Sequence, residues 1–367
     1  MPRLPDFFRT HRPLVLGLLA SVVVAAAVVW YLRPARRDPL LDTPELALQS
    51  LQAKALYFNG RARPWLLSKR PDLLTPEDHD ENSARTRNFL QAVQNTKLFR
   101  ELDHQYHFDV LFLVGDPSEY KPLLEHLLDR KDWTVIYADH TSIVFQREGG
   151  KPWSPADFEK IKAHFAAKPK EEQAEVLAQT AVRLLAVHQE EAGKALLDEA
   201  MQLDAHQPLV SNGLATYYLG RGEWREAWTA VESALFADHN FLPALATKTQ
   251  LLYGMKRFSE AYDVSKDLIE KVPDDPNILF YHAKIAHEAH AYKGEIAALE
   301  KLIAQADADG RPIGGYQLYL GQAYAATGDA QRAVDAFMMA LDDPDLPDDQ
   351  RSYARESITR IKQRAGL

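Results

Sequence analysis

The chain has 367 residues, 46% hydrophobic and 26% charged, enough for two globular cores and unlike the composition of a disordered chain. Its formal charge of −9 is uneven: residues 1–42 carry six Arg against three Asp, whereas residues 161–367 hold 22 basic and 31 acidic side chains. An acidic C-terminal half repels a phosphate backbone, so no nucleic-acid partner is expected, and the absence of cysteine excludes disulfides, thiolate metal sites and cysteine nucleophiles.

Residues 1–13 read as a short leader, and Leu14–Leu32 is an apolar run without a charge. As a helix it would reach roughly 28 Å, enough to cross a bilayer core, with Trp30 and Tyr31 where an interfacial aromatic belt would lie. Ala25, Ala26 and Ala27 also suit a cleaved signal peptide, but the apolar run continues past them to Leu32. The expectation is a single-pass membrane protein held through Leu14–Leu32, with the bulk of the chain on the extracytoplasmic, periplasmic side. Arginines flank both ends of the span, so the positive-inside count is nearly tied. Residues 33–42, with Arg33, Arg36 and Arg37, read as a basic linker.

Residues 43–150 read as a small α/β domain. NFLQAVQNTKLFRELDHQY, Asn88–Tyr106, suits one or two helices covering a sheet face. FDVLFLVG is strand-like, and YKPLLEHLLDR from Tyr120 places Leu123 and Leu127 on one helix face. WTVIYAD and TSIVFQ are further strands, which predicts a β-α-β unit followed by a tight hairpin at Asp139 and His140. VGDP has neither a G-x-G-x-x-G pattern nor a P-loop lysine, so Asp116 and Pro117 read as a turn and helix start.

Over about residues 86–147, FDVLFL, a helix and then DWTVIYADHTSIVFQR resemble the soluble C-terminal segment of dolichyl-phosphate-mannose-type membrane glycosyltransferases. That resemblance implies a fold and an outside location. It implies no reaction, because the family's catalysis depends on acidic loops between several membrane spans.

Residues 151–170 are expected to form a connecting helix. Beyond them a 34-residue period emerges: Ala200, Ala234, Leu268 and Leu302 recur at that spacing, as do Gly193, Ala227, Ala261 and Glu295. LATYYLGRGEWREAWTAVESAL, from Leu214, and YLGQAYAATGDAQRAVDAFMMAL, from Tyr319, put small residues where two helices of a hairpin must meet. Over residues 171–344 the chain resembles the tetratricopeptide repeat (TPR) family, with about five copies. The fourth copy departs through Glu295, and its offset to Ala333 is 38 residues, which predicts a longer loop near DADGRPIGG. The first copy lacks the turn glycine. Residues 345–367 read as a polar capping helix.

The fold class expected is α+β: an N-terminal transmembrane helix, a small α/β domain and an all-α TPR superhelix with its cap. The resemblance implies a concave groove that binds extended or helical peptides, lined here by Asn212, Thr216, Gln250, Tyr253, Phe280, Lys284, His287 and Gln322. The two-carboxylate clamp of some members is not matched, since Ala178, Val182, Asn277 and Tyr281 stand at its positions. HEAH at His287–His290 misses the i+4 histidine of a helical zinc site, and DADG at Asp307–Gly310 misplaces the glycine of a calcium loop. His104 and His107 read as a polar helix end. No catalytic, cofactor or metal residues are therefore expected, and the chain is not read as an enzyme. The function expected is a membrane-anchored scaffold or adaptor binding a protein or peptide partner. The alternative is an accessory subunit or enzyme of envelope glycan transfer using residues 43–150.

Overall fold

The structure is a computed structural model that describes residues 44–308, 312–344 and 346–366. Among the described residues one sheet forms, from β1 (Leu56–Phe58), β2 (Val110–Val114), β3 (Trp133–Ala138) and β4 (Ser142–Arg147) in the order β1-β2-β4-β3. β1 pairs parallel to β2, whereas β4 runs antiparallel to both β2 and β3. The expected β-α-β unit is therefore split by β4. The cause lies in the turn, where Asp139 Oδ1 accepts from the backbone N–H of Thr141 at 2.8 Å and of Ser142 at 2.9 Å, folding the chain straight back into the slot beside β2.

Five helices surround this sheet: α1 (Glu45–Ser50), α2 (Arg63–Lys69), α3 (Ala84–Ala92), α4 (Thr96–Tyr106) and α5 (Lys121–Leu128). The long stretch before β2 breaks into α3 and α4 because Asn95 caps α4, its side chain accepting from Leu98 N–H at 3.1 Å. β1 was not expected, since three residues are too few to display an alternating pattern. Its Tyr57 is central nonetheless. The ring lies 5.0 Å from Phe89, 5.2 Å from Phe99 and 5.4 Å from Phe108, and its hydroxyl donates to the Phe89 carbonyl at 2.9 Å. Burial pushes the Tyr57 phenol far above its usual range.

The connecting segment becomes α6 (Pro155–Phe165), started by a capping box between Ser154 and Asp157. Phe158, Ile161 and Phe165 pack with Ala174, Leu177 and Ala181 of α7 (Lys170–Ala186), so the connector joins the first repeat in one core. Arg183 of α7 donates through Nη2 to the Gly115 carbonyl at 2.9 Å. The α/β domain thus covers the first face of the array, as the capping helix covers the last.

Five hairpins follow: α7 with α8 (Glu190–Leu203), α9 (Pro208–Gly220) with α10 (Trp224–Ala237), α11 (Leu242–Gly254) with α12 (Phe258–Lys271), α13 (Pro276–Glu288) with α14 (Tyr292–Ala308), and α15 (Gly314–Thr327) with α16 (Ala330–Asp342). They form a TPR-like helical superhelix, closed by α17 (Asp348–Ala365). The period is visible in the backbone: His188, Gly222, Lys256, His290 and Gly328 all occupy the left-handed region, at φ 59, 71, 59, 55 and 83°. The residue after each donates back across the turn to Leu184, Tyr218, Leu252, Ala286 or Tyr324, closing the αL helix end. The turn therefore forms even in the copies that lack glycine.

At the close helix contact Gly193, Ala227 and Ala261 are buried as the period predicts; a Cβ on Gly193 would meet Leu185 at 2.9 Å. The extra residues before the fifth copy do not go wholly into a loop, because α14 runs 17 residues where α12 runs 14.

The expected single-pass localisation is corrected here. Among the described residues no helix is long and apolar enough to cross a membrane. The span assigned to Leu14–Leu32, with its leader and basic linker, lies outside the described residues.

Candidate functional site in the repeat groove

The eight groove positions fall into three rows spaced by the repeat: Asn212 and Phe280; Thr216, Gln250, Lys284 and Gln322; Tyr253 and His287. The rows differ in exposure. Asn212 is 6% exposed, so it packs between helices rather than lining the groove, which corrects its assignment. Thr216 is exposed but spends its hydroxyl on its own helix, donating to the Asn212 carbonyl at 3.0 Å. Gln250 is exposed and stands apart from the pocket described next.

The remaining five converge. Tyr253 from α11, Phe280, Lys284 and His287 from α13 and Gln322 from α15 line one cavity of about 70 Å³, together with Ala283, Glu288, Glu295, Leu299 and Tyr319. First helices of successive repeats lie side by side, so residues one repeat apart stack along one surface. Phe280 sits 5.6 Å from Tyr316 and 5.5 Å from Tyr319, while Tyr253 lies 5.3 Å from Phe258 and 5.9 Å from Tyr281. Both rings are half-buried by these neighbours, which holds them in place before any ligand arrives.

Glu295, from the second helix α14, is 1% exposed. His287 Nδ1 lies 3.1 Å from both of its carboxylate oxygens. Burial pushes the Glu295 carboxyl up, and the charge and hydrogen bond of His287 pull it back. A wider cleft of about 680 Å³ shares His287 and Gln322 and continues toward Tyr292, Tyr353 and Arg360, so the groove extends to the capping helix.

No protein-family model matches the chain, and no curated protein matches it. Solved structures do. The TPR protein YrrB, which has an unusual peptide-binding site, is 17% identical over 53% of this chain and 96% of its own, with a TM-score of 0.45. MamA from Desulfovibrio magneticus RS-1 is 18% identical over 46% of this chain and 93% of its own, with a TM-score of 0.39. PilF from Pseudomonas aeruginosa is 14% identical over 54% of this chain and 92% of its own, with a TM-score of 0.42. At these values the likeness adds nothing to the repeat register that the chain's own packing displays.

None of these comparisons bears out a glycosyltransferase, and the sheet explains why that reading is not favoured. Ligands of open α/β sheets bind outside the carboxyl ends of parallel strands. Here those ends are occupied by the protein itself. Asn59 after β1 holds the Val114 carbonyl through Nδ2 at 2.7 Å and accepts from Val114 N–H at 3.1 Å, while Arg183 and the Tyr120 hydroxyl both donate to the Gly115 carbonyl. The Arg61 guanidinium also pairs with Glu119 beside that end.

Sequence reasoning missed Tyr319, Glu288 and Glu295 as lining residues. Glu288 follows His287 by one residue and Tyr319 lies one helical turn before Gln322, both positions it did choose; Glu295 was visible only as a departure from the small-residue pattern, because a second helix is not expected to reach the groove.

Proposed function

We propose that the chain is a non-catalytic scaffold that captures a protein partner as an extended segment laid along the concave face of its repeats. The observation that carries this reading is the convergence of Tyr253, Phe280, Lys284, His287 and Gln322, from three successive first helices, around one aromatic-rimmed pocket. Aromatic side chains that are already ordered bind at low entropic cost and dominate the energy of such contacts. The α/β domain serves as a rigid end-piece rather than a reactive centre, a role supported by the coverage of its strand ends.

Site-specific photo-crosslinking tests this in cells. A photoreactive residue at Gln250 or Gln322 should yield a discrete adduct, and one at Thr229, on the second helix of the second hairpin, should not. The double substitution Tyr253→Ala and Phe280→Ala should abolish the adduct, since truncating a buried aromatic anchor typically costs about 2 kcal/mol or more. An adduct that survives the double substitution would remove the groove as the binding face.

A further inference from the structure

Glu295 is out of pattern. Preceding repeats place Gly193, Ala227 and Ala261 at this helix contact, where the two helices of a hairpin approach closely. A carboxylate buried there loses its hydration, a cost that natural chains carry where function needs the group.

His287 answers only part of that cost. Its ring offers a single nitrogen to both oxygens, whereas a carboxylate has about four acceptor sites. Although only 1% exposed, Glu295 borders the cavity, in company with the rings of Tyr253, Phe280 and Tyr319. Aromatic rings around a cation stabilise it, most strongly where water is displaced. The rim charges of Lys284 and Glu288, one helical turn apart, offset each other, so the charge a ligand meets on the pocket floor is the Glu295 carboxylate, held by His287.

Size narrows the occupant further. The pocket is small, about 70 Å³, and partly open, which suits the slim end of an ammonium with its adjoining methylene better than the broad planar fork of a guanidinium. We infer that this pocket receives a lysine side chain of the captured segment, with the Glu295 carboxylate as counter-ion and the three rings as walls. The inference rests on the groove being the binding face, and it adds what the groove selects.

Selection of displayed random dodecapeptides on the full-length chain supplies the probe. Enriched peptides should share a lysine, and replacing that lysine by norleucine or acetyl-lysine should weaken binding at least tenfold in fluorescence anisotropy. Glu295→Ala restores the residue of the neighbouring repeats, so its melting should hold while it binds the lysine and norleucine peptides equally. Should that variant misfold, Glu295→Gln keeps the shape and removes the charge, and the same loss of preference is expected. Peptides that depend on Tyr253 and Phe280 yet ignore the lysine exchange would overturn this inference and leave the groove reading standing. Enrichment no better than on a bait-free surface would remove both.

Discussion

In the α/β domain the largest buried side chains are rings, with Tyr57, Phe58, Phe89, Phe99, Phe108, Phe112 and Phe145 gathered in one cluster from strands and helices far apart in the chain. In the repeats the fully buried positions are mostly Ala, Val and Leu, divided among several small clusters that each join neighbouring helices. A core assembled from distant segments stands or falls as a unit. A stacked core is a sum of local contacts, so a change in one hairpin is felt mainly by its neighbours. The difference also explains why the groove can carry Glu295: the cost of one poor contact stays within its own hairpin and its neighbours, and the remaining hairpins keep theirs.

The sharpest way to break this comparison is Phe112→Ala. The ring is fully buried at the middle of β2, and such truncations cost about 3–5 kcal/mol. Chemical denaturation followed by helix content should show the α/β domain unfolding first, with a separate later transition for the repeats. A single shared transition would mean that Arg183 and the α6 packing fuse the two regions into one cooperative unit.

Acid should act on the repeats through His282. It is 2% exposed, its Nδ1 lies 2.8 Å from Ser265 Oγ, and desolvation lowers its pKa from 6.5 to about 4. The unfolded chain therefore binds this proton more readily than the folded one. Stability is complete above pH 6.5 and falls as pH drops toward 4, by on the order of 3 kcal/mol for that shift. Melting curves across this range should lose much of their pH dependence in His282→Gln, provided the variant still folds; an unchanged slope would place the acid sensitivity elsewhere.

Ala227→Leu probes the close contact in the best-matching repeat. Ala227 is fully buried, and overpacking of this kind costs about 1–3 kcal/mol. The loss should appear as a lower midpoint for the repeat transition with the α/β transition unmoved. A lowered midpoint for both would contradict the local character of the stacked core.

The smallest effect expected is a gain. Lys256 holds φ 59° at a turn where the second and fifth copies have glycine, and the left-handed conformation costs a side-chain-bearing residue about 1 kcal/mol. Lys256→Gly should recover part of that, offset by glycine's greater freedom when unfolded. A measured rise of a few tenths of a kcal/mol in denaturant titrations agrees with this; a clear fall would mean that Lys256 makes a contact of its own.

The repeat array was legible because it is periodic. Ala200, Ala234, Leu268 and Leu302 return every 34 residues, and each turn reuses one backbone geometry, so local contacts alone determine where every hairpin starts. The groove rows followed from the same register, although the burial of Asn212 did not, since how far a groove position turns inward depends on the neighbouring helix. The α/β domain was less legible. Its strands could be recognised from apolar runs, but β1 was too short to show a pattern, and nothing local states that β4 inserts between β2 and β3. Strand order is decided by pairing between distant segments, and by a two-residue turn that returns the chain before any crossover can form. Glu295 stands between the two cases. Its departure from the repeat was plain in the sequence, whereas its place beneath Tyr253, Phe280 and Tyr319 exists only once α13, α14 and α15 have packed together.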